Sequence, residues 1–134
     1  MEATELLRLA NEARKNAYVP YSGHRVGAAL LTESGKVYTG CNIENAAYSP
    51  GNCAERTAIF KAVSEGERAF AAIAVVGGKD YEISEFYPCG MCRQVMAEFC
   101  DPDTFLIYTA VPGGYETYRL KELLPHGFSP KNLK

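Results

Sequence analysis

The 134-residue sequence predicts an α/β fold, a mixed sheet with helices on both faces. Three observations carry that expectation. An amphipathic segment opens the chain. Two apolar runs joined by a short polar turn follow it. From residue 37 to residue 109, strand-like and helix-like segments alternate. Such alternation implies crossover units with parallel pairing, while the early hairpin adds antiparallel strands.

Each element has a local reason. Leu6, Leu9, Ala10, Ala13 and Ala17 recur at helical spacing, with Glu5, Arg8, Glu12 and Lys15 interleaved, which predicts a first helix. Residues 18–24 contain Pro20 and Gly23 and break it. Residues 25–32 hold a nearly continuous apolar run, 33–36 read as a turn, and 37–41 as the returning strand of a hairpin. The stretch 42–52 is rich in Asn, Ser, Pro and Gly and predicts a loop. Residues 54–65 have helical composition and meet a stop at Gly66. A strand is expected over 70–76, ended by Gly77-Gly78, and a connecting loop over 79–87. A short helix follows from 89 to about 100, then a strand over 104–109, a turn at 111–114 and a last strand over 115–119. Residues 120–124 begin a helix that Pro125 cuts off. No repeat, low-complexity stretch or linker interrupts this order, so residues 1–134 are expected to form a single domain.

Composition narrows the function classes. Apolar residues at 47% and charged residues at 22% suit a soluble globular protein. A formal charge of −2 with no basic block argues against a tight electrostatic grip on nucleic acid. The start of the chain lacks the basic and apolar regions of a signal peptide, and no apolar run approaches the roughly 18 residues of a membrane helix, so a cytoplasmic location is expected. In a reducing cytosol, clustered cysteines bind metal or do chemistry more often than they form disulfides. Cys41 and Cys100 fall outside the cluster and are expected to be small buried hydrophobes.

The cluster lies in two segments, Asn52-Cys53-Ala54-Glu55-Arg56 and Pro88-Cys89-Gly90-Met91-Cys92-Arg93-Gln94. Together they offer three thiolates for one metal and a carboxylate two residues after the first. Three ligands are one short of the four that zinc prefers, which leaves a position open to water. Both segments precede predicted helices, whose unpaired N–H groups favour thiolate charge, and Arg56 or Arg93 could offset more of it. Other readings stand beside this one. Cys89 and Cys92 could be a redox pair. A closed structural zinc site would need Cys41, Cys100, His24 or His126 as a fourth ligand. Asn52-x-x-Glu55 also resembles a capping box, which would make Glu55 a helix cap.

A ligand, one residue, a glutamate and then Pro-Cys-x-x-Cys is the signature of zinc deaminases, and both halves are present. Val26-Gly27-Ala28-Ala29 and Gly40-Cys41-Asn42-Ile43-Glu44-Asn45-Ala46 extend the match, and the chain over about residues 5–128 resembles the small homotetrameric cytidine deaminases. The resemblance implies an α/β/α sandwich around a five-stranded mixed sheet. It implies zinc, one per subunit, held by Cys53, Cys89 and Cys92. It implies Glu55 as the proton carrier, Asn42 and Glu44 as the ribose-binding pair, and His24, Ala54, Tyr48 and Phe128 as further substrate contacts. Tyr48 and Phe128 would help enclose the nucleoside of a neighbouring subunit, and Arg56 would hydrogen-bond the zinc thiolates. The implied reaction is hydrolytic deamination of cytidine and 2′-deoxycytidine in pyrimidine salvage. Two alternatives are a deaminase of another aminated pyrimidine, such as a blasticidin-type nucleoside, and a non-catalytic zinc module.

The sequence departs from the family pattern in two places. Where the family commonly has Y-S-x-F-x-V-G-A-A, this chain has Tyr21-Ser22-Gly23-His24-Arg25-Val26-Gly27-Ala28-Ala29, so a polar, protonatable ring stands in the place of Phe. Ser49-Pro50-Gly51 before Asn52 also differs, and nothing in the sequence explains its effect.

Overall fold

The computed structural model describes residues 1–134. Along the chain run α1 (Ala3–Ala13), β1 (His24–Thr32), β2 (Val37–Cys41), α2 (Ala54–Ser64), β3 (Phe70–Lys79), α3 (Gly90–Phe99), β4 (Leu106–Val111), β5 (Gly114–Arg119) and α4 (Leu120–Leu123). The strands form one five-stranded sheet in the order β2-β1-β3-β4-β5.

The sheet is mixed, as expected, but less parallel than the alternation implied. Only β3 and β4 pair in parallel, Ala72 opposite Leu106 through Val75 opposite Thr109. β1 pairs antiparallel with both β2 and β3, so it lies between the two strands that the first crossover joins. β2 and β3 therefore run the same way without touching.

Side-chain alternation along the central strands splits the core into two layers. Ala29, Ala72, Ala74, Val76 and Ala110 point to one face and pack against Leu6 and Ala10 of α1. Ala28, Leu30, Ile73, Val75 and Ile107 point to the other and meet Ala58, Ile59 and Ala62 of α2 and Met96 of α3. Small residues line the α1 face, which lets that helix lie close to the strands. The result is a three-layer α/β/α sandwich with α2 and α3 on one side.

Two of the boundaries that differ from the sequence expectation have a direct physical cause. β3 continues through Gly77 and Gly78, which pair with Val26 and Arg25 of β1. These glycines do not break the strand. A Cβ on Gly77 would come within 2.8 Å of the Phe86 ring, so the residue is small because an aromatic side chain packs on it. β4 starts at Leu106 rather than 104, because the Phe105 amide donates to Asp101 O at 2.9 Å and holds the preceding residues in a turn.

The fold also fixes where α2 begins. A Cβ on Gly40 of β2 would sit 2.6 Å from Ala54 O and Ala58 N. The first turn of α2 therefore rests directly on the β2 backbone, and Cys53 is delivered to the end of the sheet.

Candidate active site

The two cysteine segments each close a loop and open a helix. Cys53 is the N-cap residue of α2 and Cys89 that of α3, both with extended backbone, and Cys92 lies in the first turn of α3. The loop before Cys53 is folded back on itself. Ile43 and Asn52 exchange two backbone hydrogen bonds, at 2.9 and 2.8 Å, which returns the chain from β2 to the start of α2.

The three thiols converge. Cys53 Sγ lies 3.7 Å from Cys89 Sγ, and Cys89 Sγ lies 3.5 Å from Cys92 Sγ. Two sulfurs on a tetrahedral zinc with bonds of about 2.3 Å are about 3.8 Å apart, so this spacing suits that ion. Cys41, Cys100, His24 and His126 are not part of the cluster. No fourth protein ligand of the kind a closed structural site needs is therefore supplied.

The electrostatics point the same way. The Cys53 thiol is brought down by a hydrogen bond from Cys92 and by the Arg56 guanidinium, against the cost of burial. The Cys92 thiol is pushed up because the Cys53 thiolate holds its proton and burial disfavours a further charge. Cys53, Cys89 and Cys92 would hold a divalent cation as thiolates, with that proton released. Arg56 Nη2 donates to Cys53 Sγ at 3.2 Å. Arg93 does not help in this way. Its guanidinium donates to Pro88 O and Leu123 O, both at 2.7 Å, and ties α3 to the C-terminal segment.

Glu55 is fully buried, and neither carboxylate oxygen has a hydrogen-bond partner. Burial pushes its carboxyl up to about 7, with the Cys53 thiolate adding to the shift. The capping-box alternative is not what the structure shows. No side chain caps α2, and the Asn52 amide donates instead to Thr57 Oγ1 at 3.1 Å.

A cavity of about 630 Å³ opens beside the thiols, within the range of small-molecule sites. Cys53, Ala54, Glu55, Arg56 and Cys89 line it, as do His24, Asn42, Glu44 and Tyr48. Asn42 spends half of its amide on the fold: Oδ1 accepts from Val26 N and Nδ2 donates to His24 O, both at 2.9 Å. One N–H and one lone pair remain. Glu44 accepts from the Tyr21 and Ser22 amides at 3.1 and 3.2 Å and from the Ser22 hydroxyl. These bonds, that from the Ser22 hydroxyl above all, hold its carboxyl below the usual range. Tyr48 is 84% exposed on a left-handed backbone (φ 64°). Phe128 lies outside the cavity of its own chain, 57% exposed, with its carbonyl accepting from Gln94 Nε2 at 2.8 Å. Phe86 and Tyr87 also line the cavity, and neither stands out as a site residue from the sequence. The available signal was two aromatic residues directly before the Pro-Cys of a ligand segment.

The family model described as the cytidine and deoxycytidylate deaminase zinc-binding region matches residues 1–108. The chain belongs to the cytidine and deoxycytidylate deaminase family. A cytidine deaminase of Sporosarcina psychrophila is 51% identical over 99% of this chain and 96% of its own length. One from Halalkalibacterium halodurans is 48% identical over 99% and 98%. The crystal structure of a cytidine deaminase from Burkholderia pseudomallei superimposes with a TM-score of 0.86, at 46% identity, covering 96% of this chain and 100% of that one. Zinc is the cofactor of this family, and the Cys53–Cys89–Cys92 group is the set in this chain that can hold it. Arg56→Gln removes the charged donor to Cys53 and is expected to weaken zinc binding by about tenfold, read by competition with a chromophoric chelator.

Proposed function

We propose that this protein is a zinc-dependent deaminase of cytidine and 2′-deoxycytidine, producing uridine and 2′-deoxyuridine with release of ammonia. The observation that carries the reading is Glu55, a buried carboxylate with two unpartnered oxygens in the cavity that Cys53 and Cys89 also line. An acid–base group that must exchange protons with a substrate has reason to be left free of other partners. Zinc held by Cys53, Cys89 and Cys92 would supply Lewis acidity, making water nucleophilic near neutral pH. Glu55 takes the proton of the attacking water, places it on the pyrimidine N3, and carries the next one to the departing N4. A carboxyl raised by burial is suited both to accept and to give a proton. Asn42 and Glu44 hold the ribose through the amide positions and carboxylate lone pairs that the fold leaves over, Ala54 contributes to the wall, and His24 stacks on the base. Arg56 steadies the thiolates.

The active unit on this reading is a homotetramer in which Tyr48 and Phe128 close the nucleoside cavity of a neighbouring copy. The exposure of both rings, which leaves most of each free to meet a second copy, supports it. Residues 1–134 act as one domain, in the cytoplasm, within pyrimidine salvage. No helix is long and apolar enough to cross a membrane.

The substrate is tested with a panel of cytidine, 2′-deoxycytidine, a blasticidin-type nucleoside and a cytosine-containing oligonucleotide, run on the parent and on His24→Phe. Turnover of the two free nucleosides by both proteins supports the reading. Turnover confined to the blasticidin-type compound, or no turnover at all, overturns it.

A further inference from the structure

The side chain of Tyr87 reaches beyond the cavity it lines. Its hydroxyl donates to Glu116 Oε1 at 2.8 Å. The Tyr118 hydroxyl donates to the same oxygen, also at 2.8 Å. The two rings meet edge to face, centroids 5.9 Å apart and planes at 72°. Glu116 and Tyr118 are two positions apart on β5, so they share one face of that edge strand. β4 pairs with β5 at both positions, Thr109 opposite Glu116 and Ile107 opposite Tyr118. The clamp is therefore anchored in the sheet rather than in a loop. No lysine or arginine forms an ion pair with Glu116, so its carboxylate is committed to the two hydroxyls. Those two donors hold its carboxyl below the usual range, and a hydrogen bond to an ionised acceptor is stronger than one between neutral groups.

The position of the clamp gives it a use. Tyr87 stands two residues before the thiol of Cys89, and Pro88 between them is buried and stiff. A tyrosine held at its hydroxyl and against a second ring presents a fixed face to the cavity. A ligand that packs on a fixed face does not bear the entropy of ordering it. A loose ring in the same place would cost affinity or fill the space.

We propose that Glu116 is a positioning residue for nucleoside binding. It acts through Tyr87, whose clamped ring forms the cavity wall beside Cys89. The proposal rests on reading the cavity as the site of an aminated pyrimidine nucleoside. In a Glu55→Gln background, designed to stop turnover, calorimetry reads cytidine affinity directly. Tyr87→Phe and Glu116→Ala should each lower that affinity several-fold, up to about tenfold, the cost of ordering one side chain on binding. The double variant should lose no more than the larger single change, because both break one contact. Glu116→Gln keeps an acceptor oxygen and should recover most of the loss. With Glu55 intact, the same changes should raise KM and leave kcat within about twofold. Zinc content should match the parent throughout.

Unchanged affinity in Tyr87→Phe overturns the proposal. So do additive losses in the double variant, or a fall in melting temperature with KM unmoved. Each of these results leaves the functional reading standing, because the parent still binds. A parent that binds no aminated pyrimidine nucleoside overturns the functional reading and the clamp together.

Discussion

Glu55→Gln should retain zinc and lose turnover by on the order of 10⁴-fold, the upper end of what a positioned acid–base group supplies. The amide has the size of the carboxyl, and its oxygen and nitrogen enter a site where the native oxygens already have no partner. Nothing that holds the helix or the thiols is removed, because Glu55 caps no helix and is not in the thiol cluster. A neutral amide also escapes the burial cost that raises the native carboxyl, so stability should not fall. On the proposed mechanism, what goes is the capacity to move a proton between water, N3 and N4. The check is ammonia release from cytidine with zinc measured on the same sample. Full activity would remove Glu55 from the mechanism. Loss of zinc together with activity would assign it to the metal site instead.

Arg14→Met should destabilise the fold by about 3 kcal/mol through the loss of several hydrogen bonds to one buried charge. Arg14 is completely buried and has no acidic partner. Its guanidinium donates to the carbonyls of Arg25, Gly78, Tyr81, Asp80 and Glu82 at 2.6 to 3.4 Å, and to Asn11 Oδ1 at 3.1 Å. Burial lowers its pKa, yet an arginine keeps its charge and the ring of carbonyls stabilises it. Met fills similar volume but leaves those carbonyls without their donor. Arg14→Lys should fall between, since a compact ammonium has three donors and no planar fork. Four of those carbonyls, of Gly78, Asp80, Tyr81 and Glu82, lie at the start of the stretch that leads to Phe86, Tyr87 and Cys89, so KM for the nucleoside should rise as well. Urea denaturation reads the stability change. A loss below about 1 kcal/mol would mean that water replaces the guanidinium, and that the segment does not depend on it.

The parts of this molecule that were legible in the sequence are those whose cause is local. The two cysteine segments carry their ligand spacing, their helix starts and the Glu55 position within a few residues each. The hairpin at β1 and β2 and the amphipathic α1 follow from periodicity. The rest depends on contacts distant in sequence. Gly77-Gly78 reads as a breaker, and only the packing of Phe86 shows why a strand passes through it. Arg14, just past the end of α1, reaches across to residues 78–82, contacts that no local pattern shows. Residues 79–87 read as a connector because the partners of Phe86 and Tyr87 lie on β3 and β5. Asn42 and Glu44 stand out through family resemblance, and their roles in tying down 21–26 rest on contacts that no local pattern shows. Arg93 carries the same charge as Arg56 and sits beside a ligand, but its fork is turned to backbone carbonyls rather than to sulfur.

The most direct measurement is cytidine turnover as a function of zinc occupancy, with metal and ammonia determined on the same samples. One zinc per chain at saturation is expected, with uridine and ammonia formed in equal amounts, at a rate proportional to occupancy. Chelation should abolish the rate and added zinc should restore it. Zinc-replete protein that leaves cytidine intact, or turnover that persists once the zinc is gone, would contradict a three-thiolate zinc site serving cytidine deamination.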